Sequence, residues 1–337
     1  MGTQEAGRRA GAPGTPSAGT LAGHGEFALI DAVVARLGAA GWPADVVLGP
    51  GDDAAVLAAP DGHAVVTIDV LVEGVHFRTD WSGGADVGRK AAAASLSDVA
   101  AMGARTTGLV VGLVAPPELE VQWALDLADG LRDEAARAGA TVVGGDLTRG
   151  RSLVMAVTAL GDLGGRAAIR RSGARAGDVV AVCGRLGWAA AGLAVLGRGF
   201  RSPRALVEAY RHPAPDYSAG PRAARAGATA LVDVSDGLLA DLGHVARASG
   251  VVVDLDPAAF TGDTADGPLA DAAAAMNTDP LAWVLGGGED HALAGCFPPG
   301  VSLPDGFRAI GRVGAGDPQV LWGGVPWAGS AGWDHFC

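Results

Sequence analysis

The chain contains 337 residues, of which 49% are hydrophobic and 18% are charged, and its formal net charge is −12 with a pI near 4.9. This length and composition predict a globular protein with enough apolar core for two domains. The excess of acid excludes a nucleic-acid or anionic-membrane partner, because either requires a basic surface. No apolar run reaches the roughly 18 residues of a membrane span. A phosphate-bearing ligand is therefore expected to bind together with metal cations.

The cysteines predict the cellular compartment, and the composition of the N-terminal segment predicts its disorder. Cys183, Cys296 and Cys337 lie far apart and form no CxxC pair, so neither a zinc site nor a disulfide framework is expected. A reducing cytoplasm is the predicted compartment. Residues 1–23 are rich in Gly, Ala, Pro and Ser, with little to bury, and are predicted to form a disordered N-terminal extension.

Hydrophobic periodicity predicts alternating helices and strands in the first half of the chain. Helices are predicted over 26–40, 86–102 and 117–139, and strands over 65–70, 106–114, 141–143 and 153–160. Glycine and arginine concentrate over 161–175, where a domain boundary is predicted.

The same reading continues beyond this boundary. Strands are predicted over 178–182, 230–232 and 251–255, and helices over 188–196 and 237–249. The pattern predicts an α+β (mixed α/β) protein with two domains, an N-terminal domain over 24–163 and a C-terminal domain over 164–337.

Acidic residues recur where predicted strands or glycine runs end. They are Asp52 and Asp53 in GPGDDAAV, Asp69 in TIDVLVEGVHF, Asp146 in VVGGDLTRG, Asp233 and Asp236 in VDVSDGLLADLGH, and Glu289 and Asp290 in LGGGEDHAL. One such corner is ordinary turn chemistry, whereas five of the same kind indicate a ligand site at a sheet edge. Carboxylates without a Cys/His cluster favour Mg²⁺ and phosphates over zinc or iron.

Two further residues attract attention because of their place in a helix. Asp98 stands about one turn from the C-terminal end of the predicted helix KAAAASLSDVAAMG. An acid there opposes the helix dipole and loses solvation if buried, so a positive group is expected to face it; an exposed stripe shared with Ser95 and Lys90 is the alternative. Ser235 is predicted to cap the helix over 237–249, whose N–H groups could receive a phosphate oxygen.

The only lysine of the chain, Lys90, does not belong to a P-loop. Its surroundings, GGADVGRKA, lack the Ser or Thr that follows the lysine in that motif and binds Mg²⁺.

Taken in order, nine segments resemble the thiamine-monophosphate kinase family, which shares a fold with aminoimidazole ribonucleotide synthetase. They are GEFALI, GDDAAV, DVLVEGVHF, SLSDVAAMGA, GGDLTRG, RSGARAGD, VDVSDGLLADLGH, GGGEDHAL and GWDHF, and they cover residues 24–337. The resemblance implies an N-terminal sheet domain that pairs in a homodimer and a C-terminal α/β domain. It also implies transfer of the γ-phosphoryl group of ATP to thiamine monophosphate, the final step of thiamine diphosphate biosynthesis. Several Mg²⁺ ions are implied, and the need for a monovalent cation is left open.

The resemblance also implies a role for individual residues. The metal-binding positions are matched by Asp53, Thr67, Ile68, Asp69, Asp98, Asp146, Asp233 and Asp236, with Ile68 contributing only its main-chain carbonyl. The nucleotide contacts are matched by Gly145, Asp146, Arg171 and Ser235, and the substrate contacts by His76, Glu289 and Trp333. The implied catalytic set is Asp53, Asp98, Asp146, Asp233, Asp236 and Arg171. Asp52 is left with a role in the turn or in supporting the metal ligands, since neighbouring side chains on a strand point to opposite faces.

Three positions depart from the family pattern, and three other functions are open as alternatives. His291, Ser95 and Leu147 replace a tyrosine, an asparagine and a threonine, but none of these changes removes an acid. A hydrogenase-maturation dehydratase would end in a reactive cysteine, as this chain ends in Cys337, but the Pro-Arg-Ile-Cys tail is absent. A selenophosphate synthetase would need a reactive cysteine in the first 50 residues, where there is none. The third alternative is a nucleotide-binding protein without catalytic activity.

Overall fold

The structure is a computed structural model that describes residue 20 and residues 26–39, 41–48 and 56–333. Apart from Thr20, the predicted extension over 1–23 lies outside the described residues. Asp52, Asp53 and Cys337 lie outside them as well.

The first half of the described chain builds a four-stranded sheet with helices on one face. Its elements are α1 (Glu26–Leu37), β1 (Val46–Leu48), β2 (Val56–Leu57), β3 (Val65–Val72), α2 (Gly84–Ala101), β4 (Arg105–Ala115), α3 (Val121–Arg137), β5 (Thr141–Arg149) and β6 (Val154–Asp162). The strand order is β3-β6-β4-β5, in which β4 pairs parallel with β5 and antiparallel with β6. β1 and β2 form a separate antiparallel pair.

Helices α2 and α3 pack with their backbones in contact, which explains the small residues of α2. A Cβ atom at Gly84 would lie 2.1 Å from the carbonyl oxygen of Trp123, and one at Gly88 would lie 2.3 Å from that of Leu127. From the α3 side, a Cβ at Gly130 would lie 2.1 Å from the Ala85 oxygen. These distances are far shorter than a van der Waals contact, so only glycine permits this approach.

The second half builds a mixed seven-stranded sheet of order β13-β12-β9-β11-β7-β10-β8. Its strands are β7 (Val179–Cys183), β8 (Ala230–Val234), β9 (Val252–Leu255), β10 (Ala292–Phe297), β11 (Phe307–Gly314), β12 (Gln319–Trp322) and β13 (Val325–Pro326). Its helices are α4 (Trp188–Gly197), α5 (Arg204–Arg211), α6 (Ala219–Arg225), α7 (Leu238–Ser249), α8 (Thr261–Thr264), α9 (Gly267–Met276) and α10 (Pro280–Gly286). Short 3-10 turns lie at Arg171–Gly173 and Pro257–Phe260.

Every helix and strand predicted from periodicity is present with its predicted type, and the mixed α/β class is confirmed. The strand predicted over 141–143 is longer, because residues 144–149 continue to pair with β4 despite their two glycines. The helix predicted from residue 117 begins at Val121, since residues 117–119 form a turn. The division into domains over 24–163 and 164–337 stays a prediction.

The two sheets have largely separate cores. Val87, Leu96, Leu109 and Met155 are among the buried residues of the first core, and a larger cluster that includes Val232 fills the second. None of the helices in the described part of the chain has both the length and the hydropathy needed to cross a membrane.

Candidate active site

Three of the predicted carboxylates meet where β3, α2 and β8 come together. Ser95 Oγ on α2 donates a hydrogen bond of 2.7 Å to Asp69 Oδ2 on β3, and Thr67 Oγ1 on β3 donates one of 2.6 Å to Asp98 Oδ2 on α2. Asp233, near the end of β8, is 3% exposed, and its charge acts on both other acids. We refer to Asp69, Asp98 and Asp233 as the acid cluster.

The acid cluster carries unfavourable negative charge. Burial, followed by the charges of Asp233 and Asp69, raises the pKa of Asp98 to about 7. Burial also raises the pKa of Asp69, although the Ser95 hydroxyl opposes this shift. Like charges in a half-buried site repel strongly, so this arrangement favours the entry of cations.

The partners of Asp98 differ from both sequence expectations. Among the described residues, Asp98 forms no ion pair; it accepts the Thr67 hydroxyl, and the His291 ring adds a weaker attraction. The alternative of an exposed stripe is also wrong, because Ser95 and Lys90 are both buried. β3 supplies a hydroxyl in place of the expected positive side chain.

His291 forms the other wall of the acid cluster. Its Nδ1 atom lies 3.3 Å from Asp233 Oδ2, and the residue is 7% exposed with a left-handed φ of 52°. Burial acts to lower the pKa of His291, but the hydrogen bond and charge of Asp233, together with the charges of Glu289 and Asp69, raise it, and the net shift is upward. The His291 main-chain N–H donates to the Val234 oxygen, which ties this turn to β8.

The start of α7 is built differently from the sequence prediction. Its N-cap is Gly237, with φ 136°, and Ser235 does not cap the helix. Instead, Asp241 accepts hydrogen bonds of 3.1 Å from the main-chain N–H groups of Asp236 and Gly237. Asp236 therefore precedes the helix. Burial, with the charge of Asp233, raises the pKa of Asp241 to about 7.

The two acids of the GGGEDH segment, Glu289 and Asp290, have different partners. Glu289, at a left-handed φ of 66°, donates its main-chain N–H to the Ser235 oxygen, and its side chain forms an ion pair of 2.9 Å with Lys90. Asp290 turns away and accepts a hydrogen bond of 3.0 Å from the Ala189 N–H at the start of α4. Burial raises the pKa of Asp290 to about 7. Asp290 is therefore a remote cap for α4.

Asp146 lies away from the acid cluster. By strand register it pairs with Gly112, whereas Asp69 lies in the row of Val157, Val111 and Gly145 on the helix-covered face. Asp146 is exposed on the opposite face. Gly145 is needed where it stands, because a Cβ there would lie 2.3 Å from the Val111 oxygen.

The structure places the remaining predicted contact residues on several different elements. His76 Nδ1 accepts a 3.0 Å hydrogen bond from the Val72 N–H, just after β3. Trp333, 61% exposed, donates its main-chain N–H to the Asp236 oxygen at 2.9 Å. Arg171 lies beside α7, where its main-chain oxygen accepts the Ser249 hydroxyl at 2.8 Å. Ile68 is 61% exposed, with its side chain directed away from Thr67 and Asp69.

The donor atoms fit a hard divalent cation, although no complete site is assembled. In the described part of the chain, no group of three or more His, Cys, Asp or Glu residues is placed to hold one ion. The acid cluster offers carboxylate oxygens with a nearby threonine hydroxyl, which is the ligand chemistry of Mg²⁺. The burial of Asp98 beside Asp233 and Asp69, which raises its pKa, favours a cation at this position.

Sequence reasoning missed the supporting residues more than the acids. The roles of Lys90, Tyr210 and Asp241 were not predicted. Asp241 could have been found, because it is an acid among Leu238, Leu239 and Leu242 on one apolar stretch. Tyr210 lies on α5, in a region for which no element was predicted.

Comparison with known proteins shows what this chain is similar to in sequence and fold. A family model described as AIR synthase related protein, N-terminal domain, matches residues 51–163. A thiamine-monophosphate kinase of Mycobacterium tuberculosis (strain CDC 1551 / Oshkosh) is 52% identical over 317 residues, covering 94% of this chain and 93% of the relative. The structure of thiamine-monophosphate kinase from Stenotrophomonas maltophilia K279a is similar with a TM-score of 0.74 and 35% identity, over 91% of this chain and 97% of that one.

A further solved structure is described as AaThiL complexed with AMPPCP and TMP. It is similar with a TM-score of 0.74 and 30% identity, and the match covers 93% of this chain and 97% of that one. The fold and the family match thus place the protein in the AIR-synthase-related class. Within that class, the chain belongs to the thiamine-monophosphate kinase family.

Proposed function

We infer that this protein transfers the γ-phosphoryl group of ATP to thiamine monophosphate, forming thiamine diphosphate and ADP. The observation that carries this inference is the 52% identity to a thiamine-monophosphate kinase across 94% of the chain. The AMPPCP and TMP bound to AaThiL correspond to an ATP analogue and the phosphate acceptor. The acid cluster supplies the chemistry that such a transfer needs.

The reaction requires positioning and charge neutralisation more than covalent help. The acceptor is itself a phosphate, whose second pKa of about 6 leaves it largely ionised at neutral pH, so a general base is dispensable. This agrees with a site of carboxylates in which His291, the one buried histidine among the described residues, is already engaged with Asp233. We propose direct in-line transfer, with Arg171 helping to hold the charge of the nucleotide.

Mg²⁺ is the cation that this donor set favours. Asp69, Asp98 and Asp233 would hold one such ion, and the family resemblance implies Asp53 and Asp236 as further ligands. It also implies Asp146, which lies on the opposite face of the first sheet, as a ligand of another of several Mg²⁺ ions. When bound, Mg²⁺ neutralises the negative charge of the phosphate oxygens. Cys183 and Cys296 are free and buried, which supports a reducing, cytoplasmic location.

The test is ADP release with thiamine monophosphate, ATP and Mg²⁺. We expect activity from the wild type and a loss of about 10²- to 10³-fold in kcat for Asp53→Ala. The exposed-turn variant Asp317→Ala is the control and should retain full activity. Absence of ADP from the wild type would refute the kinase function, and a radiolabelled phosphoenzyme formed from ATP alone would refute direct transfer.

A homodimer through the open face of the first sheet is part of this proposal. The edge strand β3 exposes Val66, Ile68 and Val70 on one face, at 61%, 61% and 48%. Val110 on β4 adds to this apolar row at 38%. Solvated apolar rows of this kind mark association surfaces. A second chain on this face would also cover Asp146.

We expect Val66→Asp to shift the protein from dimer to monomer in sedimentation velocity, because the substitution places a charge in the apolar row. The matched control is Val325→Asp, since Val325 is also an exposed strand valine, at 59%, but lies in the other sheet. A monomeric wild type, or a dimer that Val66→Asp leaves intact, would contradict this interface.

A further inference from the structure

His76 and Glu289, two of the three residues expected to contact thiamine monophosphate, share one support. Lys90 Nζ donates a hydrogen bond of 2.9 Å to Glu289 Oε2 and one of 3.2 Å to the Tyr210 main-chain oxygen. The same ammonium lies 3.8 Å from the centre of the Tyr210 ring. The Tyr210 hydroxyl in turn donates to the His76 main-chain oxygen at 3.3 Å.

Lys90 is an unusual residue in this protein. It is the only lysine among 25 basic residues, and it is 3% exposed on α2. A buried ammonium is tolerated only when it is paired and hydrogen-bonded, and here Glu289, the Tyr210 oxygen and the Tyr210 ring surround it. Its geometry is therefore tightly constrained.

This constraint passes to Glu289. Lys90 engages Oε2, while Oε1 has no hydrogen-bond partner among the described residues, and the side chain is 31% exposed. One carboxylate oxygen is thus fixed by the protein, and the other is available to a ligand.

Tyr210 constrains His76 in a similar way. Burial raises the pKa of Tyr210 well above its usual value of 10, so the hydroxyl stays protonated and can donate at any working pH. Its bond to the His76 oxygen fixes the main chain, and the Val72 N–H fixes Nδ1 of the ring.

We propose that Lys90 and Tyr210 are positioning residues of the thiamine monophosphate site, which hold Glu289 and His76 in place without contacting the reacting phosphates. This inference rests on the proposed function, because it requires that His76 and Glu289 bind that substrate. Lys90 comes from α2 and Tyr210 from α5, so the substrate site is held together across both halves of the chain.

A purely structural role for Lys90 makes a different prediction. If the ion pair only joined the two halves of the protein, its loss would lower stability and affect both substrates alike. A positioning role affects thiamine monophosphate selectively. The ratio of the two KM values therefore separates the interpretations.

The experiment uses the full chain with Lys90→Met, Lys90→Arg and Tyr210→Phe, and with Arg89→Met as the matched control. Arg89 is the neighbouring basic residue of α2, 38% exposed and paired with Asp133 at 3.2 Å. For each variant, kcat and both KM values are measured, together with the Kd of thiamine monophosphate by calorimetry without ATP.

We expect Lys90→Met to raise the KM and Kd of thiamine monophosphate by about 10- to 100-fold, with the KM of ATP changed less than about 2-fold. Lys90→Arg should recover part of this loss, Tyr210→Phe should weaken binding by about 3- to 10-fold, and Arg89→Met should match the wild type. Combining Lys90→Met with Glu289→Gln should cost no more than the larger single change, because the two residues act as a unit.

Equal losses for ATP and thiamine monophosphate, or additive effects of Lys90→Met and Glu289→Gln, would overturn the inference. If Lys90→Met does not fold, Tyr210→Phe provides the test, since it keeps the ring and the main-chain oxygen that contact Lys90. Wild-type affinity of Tyr210→Phe for thiamine monophosphate then overturns the inference. Weaker binding of thiamine monophosphate, with ATP binding unchanged, supports it. A wild type that binds thiamine monophosphate but forms no ADP would refute the kinase function alone, and the Kd values would still judge this inference.

Discussion

Asp98→Asn is expected to lower kcat by about 10³-fold while making the metal-free protein more stable. The activity falls because the amide removes a negative charge from the acid cluster, which is proposed to hold Mg²⁺. The stability rises because burial and the charges of Asp233 and Asp69 disfavour the ionised form of Asp98, and asparagine cannot ionise.

The pH dependence of the free energy of unfolding shows that Asp98→Asn should be stabilising. The pKa of Asp98 rises from 3.8 in the unfolded chain to about 7 in the folded one, so the folded state binds more protons between these values. The free energy of unfolding of the wild type therefore falls as pH rises through this window. At pH 8 the gain from Asp98→Asn is on the order of 2 kcal/mol, with a flatter pH profile.

Thermal unfolding in EDTA from pH 5 to pH 8, together with the ADP assay, measures both effects. Asp126→Asn is the matched control, because Asp126 is an acid on the neighbouring helix α3 that bonds only to Gln122 among the described residues. The assignment of Asp98 to the cluster would fail if Asp98→Asn kept wild-type kcat, or if it unfolded at a lower temperature than the wild type at pH 8.

Removal of divalent cations is expected to abolish ADP formation. The Mg²⁺ concentration needed to restore this activity should depend on pH. Asp98, with a pKa of about 7, is about half protonated at neutral pH, and a proton must leave before its carboxylate can bind a cation. The affinity for Mg²⁺ should therefore increase as pH rises from 6 to 8. At saturation about 100-fold above Kd, the cation should add about 2.7 kcal/mol to stability.

Calorimetric titration of the EDTA-treated protein with Mg²⁺, in two buffers of different ionisation enthalpy, measures the protons released. We expect release near pH 7, little release at pH 8.5, and a much weaker response from Asp98→Asn. An affinity that is constant over this pH range would contradict the role given to Asp98.

The sequence predicted element types well because periodicity reports burial locally. The stripes over 86–102 and 117–139 correspond to α2 and α3, whose apolar faces cover the first sheet. The second sheet was predicted only in part. β10 and β11 carry glycines inside their pairing segments, and α9 is alanine-rich with little amphipathic contrast, so periodicity gave no signal there.

The acids of the site could be predicted, but not their grouping. Asp69, Asp98 and Asp233 come from three elements distant in sequence, and only the fold brings them together. Asp146 looked equivalent by motif, yet strand register places it on the other face of the sheet. Ser235 looked like a helix cap because it precedes glycine and leucines, but Asp241 takes that role from within the helix.

The close contact between α2 and α3 has a consequence for the geometry of the whole site. α2 carries Lys90 toward one end of the proposed substrate and Asp98 toward the other, eight residues or about 12 Å apart along the axis. Gly84 and Gly88 place its backbone directly on that of α3, so a shift of α2 along or about its axis would bring larger residues into collision with α3. A one-residue insertion between the two positions would rotate Asp98 by about 100° relative to Lys90. The eight residues of α2 between Lys90 and Asp98 thus fix the distance between the acid cluster and the lysine that positions Glu289.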